Sequence, residues 1–204
     1  MRTQTKITQE NLTPQEAHRI LVEGNQRFVQ NVKAQRNLQD QVFETSKGQY
    51  PFAVVLSCID SRVPAELVFD QGIGDIFSVR VAGNVVNEDV LASMEYACKI
   101  AGSKIVILMG HSKCGAVTAA CNNVKLGNIT ALLSKIQPAI DAVNVDMSEM
   151  HDDVIEEVAH LNVKHSIIQI KQQSPILAEM EERGEIEIAG AMYDVSNGLV
   201  EFFE

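Results

Sequence analysis

The chain has 204 residues, 46% of them hydrophobic, and a formal net charge of −10. That length fills one domain with a sizeable core and is short for two. The chain is therefore read as a single domain over 1–204, with a helical arm over roughly residues 1–48. The acidic balance argues against nucleic acid, whose phosphates need clustered Lys and Arg. No apolar run approaches the roughly 20 residues of a bilayer span, and the start has no signal-peptide core. Together these predict a cytoplasmic protein with neither a membrane nor a nucleic-acid partner.

Thr13-Pro14 with Glu16 three residues after Thr13 is a capping box with proline at the first helical position. Ala17, Ile20, Leu21 and Phe28 continue it at helical spacing. A second, polar helix is predicted over Asn37 to Thr45, then a break at Gly48 to Pro51. Phe52 to Leu56 is a short apolar run of the buried parallel-strand type. Ile76 to Val81 and Ile105 to Met109 read as the next strands, with a helix over Glu88 to Ala101 between them. Cys114 to Val124, Thr130 to Val145 and Glu149 to Gln173 read as helices, the last long enough to lie across a partner subunit. Ile186 to Val195 is a late strand, Asn197-Gly198 a hairpin turn, and Leu199 to Phe203 the return strand. Strands alternating with helices predict an α/β fold with right-handed crossovers and a parallel sheet.

The chemistry concentrates in two cassettes, Cys58-Ile59-Asp60-Ser61-Arg62 and Gly110-His111-Ser112-Lys113-Cys114-Gly115. Each follows a predicted strand closely, and in parallel sheets ligands bind beyond the carboxyl ends of strands. Both cassettes therefore fall at the same edge of one sheet. Cys58, His111 and Cys114 offer two thiolates and an imidazole, a soft donor set suited to zinc. Three protein ligands leave a position for water, as catalytic zinc requires. Asp60 and Arg62 supply a carboxylate beside the metal and a guanidinium able to clamp it.

Other features read more plainly. Cys98 and Cys121 are small buried hydrophobes. Gly72-Ile73-Gly74 is a turn, because no helix opens behind it and Asp75 would repel phosphate. Gly110-x-Ser112 lacks the second glycine of a nucleophile elbow. His18, His151, His160 and His165 fall on polar helical faces and read as surface residues, as does Lys113. Glu179 to Glu182 reads as a solvated helix end.

The two cassettes resemble the zinc motifs of a β-class carbonic anhydrase of the plant-type and bacterial branch. Gly24-Asn25-x-Arg27-Phe28, Arg80-Val81-Ala82-Gly83-Asn84, Glu95-Tyr96-Ala97 and Tyr193-Asp194-x-x-x-Gly198-x-Val200 fit the same family, so the likeness covers nearly the whole chain. Val81 and Gly83 depart from its pattern. The resemblance implies one zinc per subunit on Cys58, His111 and Cys114, with Asp60 and Arg62 as the dyad beside it. It implies that Gln49 contacts substrate and that Phe77 and Tyr96 line an apolar pocket, contributed in such enzymes by a neighbouring subunit; Ala82 takes a further pocket position. Val55 stands where the closed, bicarbonate-inhibited branch has tryptophan, and with Gln49 this favours the open branch. A homodimer or homotetramer is implied, and so is a mostly parallel four-stranded sheet with an antiparallel edge strand, flanked by helices.

The activity implied is reversible hydration of carbon dioxide to bicarbonate and a proton by metal-bound hydroxide. Two thiolates cancel the charge of zinc and leave it a weaker Lewis acid than three imidazoles would, so activity should rise toward alkaline pH. Release of Asp60 by Arg62 would let the carboxylate swing onto the metal and switch the site off. Two other readings use the same residues. One is a hydrolase of carbonyl sulfide or carbon disulfide on the same scaffold, and the other a noncatalytic zinc module, which would have no use for Asp60, Arg62 and Gln49.

Overall fold

The computed structural model describes residues 3–143 and 151–203. Helices α1 (Lys6–Asn11), α2 (Pro14–Val29) and α3 (Leu38–Thr45) form the arm. The Thr13 capping box is present: Glu16 N–H donates to Thr13 Oγ1 at 3.2 Å, and Thr13 N–H to Glu16 Oε2 at 2.9 Å. Helix α1 has no counterpart in the sequence reading. It is a single polar turn and a half opened by a Thr5–Thr8 capping box, too short to show a period. Arg27 and Arg36 fasten the arm to the body, at 2.6 and 2.7 Å from the buried Asp70 carboxylate.

A sheet of five strands follows: β1 (Ala53–Ser57), β2 (Ile76–Arg80), β3 (Ile105–His111), β4 (Glu187–Tyr193) and β5 (Val200–Phe203). The order is β2-β1-β3-β4-β5. The first four strands run parallel, and β5 pairs antiparallel with β4 as the edge. Every residue of β1 and of β3 is buried. Val54, Leu56, Val106 and Leu108 enter one core, and Ala53, Val55, Ile105, Ile107 and Met109 the other. Helices on both faces explain why these strands read as continuous apolar runs rather than alternations. β3 runs two residues past its predicted end, so His111 closes the strand, paired with Tyr193.

Helices α4 (Ala65–Val68), α5 (Glu88–Glu95) and α6 (Gly115–Cys121) connect the early strands, α5 continuing as a π turn over Tyr96–Ile100. The helix expected from Thr130 is two helices, α7 (Gly127–Leu133) and α8 (Gln137–Val143). A turn at 134–136 separates them, and it buries Ile136 completely. Apolar spacing runs on through that turn, so periodicity alone did not reveal the break. The expected ends at Val145 and Glu149 lie outside the described residues. Helix α9 (Asp152–Gln173) presents a stripe of Val158, Ala159, Val163, Ile167 and Ile170 to the chain's own core, and α10 (Pro175–Glu182) follows it directly.

Three histidines differ from the expected surface placement. His18 Nδ1 lies 2.6 Å from Glu187 Oε1, and its ring packs on Phe202. His160 stacks on Phe203, and the Nε2 atom of His165 is buried. An imidazole has enough apolar face to pack at the rim of a core, which a polar helical setting in sequence does not disclose. Cys98 and Cys121 are buried, as expected. Glu179 and Glu181 are ion-paired, with Arg183 and Lys171 respectively.

Candidate active site

Strand order builds the site. β1 and β3 are neighbours, with Ser57 level with Met109. Cys58 therefore leaves the sheet beside Gly110, one strand spacing of about 4.8 Å away. His111 ends β3, and Cys114 forms the N-cap of α6. The ligand atoms of Cys58, His111 and Cys114 all lie within 4.8 Å of one another, and all three residues are buried. Arg80, level with Ser57 at the end of β2, donates from Nε to the Cys58 carbonyl (3.1 Å) and from Nη2 to the Asp60 carbonyl (2.7 Å). Ser112 N–H donates to the Tyr193 carbonyl, and Val195 N–H to Ser112 Oγ.

The donor atoms suit a metal. His111 Nδ1 sits 2.9 Å from the Ser112 carbonyl oxygen. A carbonyl can only accept, so Nδ1 carries the proton and Nε2 the lone pair. That Nε2 is buried with no protein partner, an orphan acceptor of the kind a ligand satisfies. The Cys114 thiol, donating to Cys58, outweighs desolvation; with help from the Gly83 and Asp60 amides it brings Cys58 down to about 4. Cys114, as the proton holder of the pair and itself desolvated, is pushed up. Without metal the pair thus shares one proton, and a divalent cation would displace it.

Asp60 and Arg62 form a fork beside this trio. Arg62 Nε donates to Asp60 Oδ1 at 2.9 Å and Nη2 to Oδ2 at 2.7 Å; the Arg62 amide also reaches Oδ1. The guanidinium holds the Asp60 carboxyl well below the usual carboxylate range. Asp60 Oδ2 lies 4.0 Å from His111 Nε2, too far for a hydrogen bond. Arg62 Nη2 also reaches the Lys113 carbonyl, and Glu156 Oε1 accepts from the Lys113 amide.

The residues expected at the substrate pocket divide. Ala82 opens a 3-10 turn (Ala82–Asn84) whose Gly83 N–H points at Cys58 Sγ, 3.4 Å away. Gln49 precedes β1, whereas Cys58 follows it. Five intervening strand residues span about 16 Å. Phe77 pairs with Val54 near the amino end of the sheet, and its ring meets Tyr96 edge-on at 6.3 Å. Gln49 and Tyr96 line one surface pocket of about 360 Å³ that holds none of the Cys-His-Cys trio. Within a protomer these three residues are gathered at the far end of the sheet from the trio.

The carbonic anhydrase family profile matches residues 53–200. The chain belongs to the carbonic anhydrase family, in its β class. It is 32% identical to Carbonic anhydrase 2 of Mycobacterium tuberculosis over 92% of each chain. It is 33% identical to the carbonic anhydrase of Mycolicibacterium smegmatis over 94% of each. Among solved structures, the β-carbonic anhydrase CcaA superposes with a TM-score of 0.75 at 27% identity, covering 92% of this chain and 95% of that one. CafA of Aspergillus fumigatus gives 0.71 at 29% identity, covering 81% of each. The matched span includes both cassettes and all four parallel strands. Sequence reasoning assigned no site role to Arg80, Gly83 or Glu156. The first two lie in a stretch that the family resemblance marks; a glutamate within a long helix carries no such signal.

Proposed function

We propose that the protein is a zinc-dependent carbonic anhydrase catalysing the reversible hydration of carbon dioxide to bicarbonate and a proton. The observation that carries this is the convergence of Cys58, His111 and Cys114 beside the Asp60–Arg62 fork. When bound, zinc supplies the Lewis acidity that makes water nucleophilic near neutral pH. Asp60 stays anionic because Arg62 neutralises it, and it accepts a hydrogen bond from a water in the site, orienting that water's lone pair. With both oxygens engaged by the guanidinium, the carboxylate is held off the metal position. Ala82 opens the 3-10 turn that brings the Gly83 N–H onto Cys58.

The remaining pocket residues come from a second copy. Gln49, Phe77 and Tyr96 cluster at the opposite end of the sheet, where Tyr96 is 54% and Ile100 71% exposed. A two-fold pairing that sets this end of one protomer on the cassette end of its partner completes both sites at once. There Gln49 donates to a substrate oxygen as charge develops, and the two rings give apolar carbon dioxide a place to sit. A homodimer or homotetramer follows; a structural relative at 26% identity and a TM-score of 0.69, from Sordaria macrospora, is described as tetrameric. Four free cysteines, two of them needed as thiolates, fit a reducing cytoplasm. Among the described residues no helix is long and apolar enough to cross a membrane. No observation favours the sulfur-substrate hydrolase or the noncatalytic zinc module.

Stopped-flow hydration of carbon dioxide by zinc-loaded protein tests the reading. Rapid turnover that disappears in Cys58→Ser and His111→Ala is expected. A zinc-loaded protein without turnover at any pH would overturn it.

A further inference from the structure

Helix α9 supplies no ligand, yet besides Glu156 a second of its side chains reaches the site, at the 3-10 turn that meets Cys58. Asn162 is 1% exposed, and its Nδ2 donates to the Gly83 carbonyl at 2.9 Å. That oxygen can only accept, so the amide must present its NH2 there. The N–H of the same glycine points at Cys58 Sγ. Gly83 is left-handed (φ 67, ψ 17), and Asn84 after it is left-handed too (φ 42). Glycine adopts either hand about equally, so Gly83 itself does not choose how the two peptides on either side of it are turned. Asparagine in a helix interior is poorer than leucine, and burying its amide costs unless it is bonded. Packing alone would favour an apolar residue at this place.

We infer that Asn162 is a positioning residue for Cys58. The Gly83 carbonyl and N–H lie on the two peptides either side of one Cα. A bond that holds the carbonyl resists rotation about that Cα, where glycine is otherwise free, and so keeps the N–H on the sulfur. This sets where the thiolate sits and how much charge it gives to a metal. Hydrogen bonds to ionised acceptors are the strong ones, and partners behind a ligand commonly tune affinity as much as the ligand's own orientation does.

The inference rests on Cys58, His111 and Cys114 being the metal ligands, and one experiment separates the two. Wild-type protein loaded with cobalt(II) should show a sulfur-to-cobalt charge-transfer band. Its absence would refute the metal centre itself. With the band present, Asn162→Leu should weaken zinc about 10–100-fold in chelator competition and move the band to longer wavelength, because an unbonded sulfur holds its electrons less tightly. Ile170→Val, on the same helix, should lower the melting temperature and leave both readouts unchanged. Wild-type affinity and band position in Asn162→Leu would overturn the inference, as would equal changes in Ile170→Val. Should Asn162→Leu fail to fold, the milder Asn162→Ser takes its place with cadmium-113 as the metal: the through-bond coupling from metal to the Gly83 amide proton should be weaker than in wild type, and an unchanged coupling overturns the assignment.

Discussion

Gly83→Ala perturbs the site's backbone without touching a ligand. A left-handed alanine costs about 1–2 kcal/mol. Its Cβ would also lie 2.9 Å from Ile136 Cδ1 and 3.3 Å from Ala116 Cβ. Ile136 is fully buried, so its methyl has little room to retreat, and such overpacking adds about 1–3 kcal/mol. The sum is roughly 2–5 kcal/mol, a drop of about 10 °C in melting temperature for a chain of this size. Two other glycines divide the effect. Gly127 is left-handed (φ 44) with nothing within 4 Å, so Gly127→Ala should carry only the backbone cost, about 3–6 °C. Gly115 opens α6 with nothing within 4 Å and no left-handed φ, so Gly115→Ala should range from neutral to about 1 kcal/mol stabilising. Thermal denaturation of the three zinc-loaded variants gives the comparison. A Gly83→Ala protein no less stable than Gly127→Ala would refute the claim that Ile136 and Ala116 close this loop.

Arg62→Ala should retain zinc and lose activity, because Asp60 is freed from both side-chain donors; metal analysis beside stopped-flow assays checks this, and near wild-type turnover would end the clamp role. Asp75 gives a pH prediction. Burial raises its carboxyl above the ordinary value, so it favours the folded state below the unfolded pKa of about 3.9, and that contribution is lost as pH rises through the folded value. Asp75→Asn should therefore gain on wild type between pH 4 and pH 7 in paired melting curves, and a constant gap would contradict the assignment. Tyr96→Arg combined with Ile100→Glu should give zinc-loaded protein of single-protomer mass by light scattering, without activity. Full activity in such a protomer would remove the shared-site reading.

The parts of this molecule that are legible in its sequence have a simple physical basis. β1 and β3 stand out because both faces are covered, and each cassette sits against a strand end. The Thr13 cap is legible because its two side chains bond each other. What stayed hidden depends on separation in space. Gln49 is nine positions from Cys58, but a strand fills the interval and carries the two to opposite ends of the sheet. Asn162 looks like any polar residue of a helix until Gly83 is seen beneath it. The turn at Ile136 is masked because its apolar residue falls where a continuous helix would also have placed one.

The strand order has a consequence for how the chain matures. β1 pairs with β2 and β3, and β3 with β4, across long connections; among the described residues the local pairing is β4 with β5, late in the sequence. High sequence separation of contacts slows folding. Cys58 and Cys114 both emerge well before α9 and β4, whose Val158, Val163 and Met192 share one buried core with them in the finished protein. Until those elements dock, the thiols of Cys58, just past β1, and Cys114, at the start of α6, lack that cover, and two thiols this close can be oxidised to each other. Refolding yield should therefore depend on reductant or on zinc supplied from the start, and zinc added only after refolding in air should come too late.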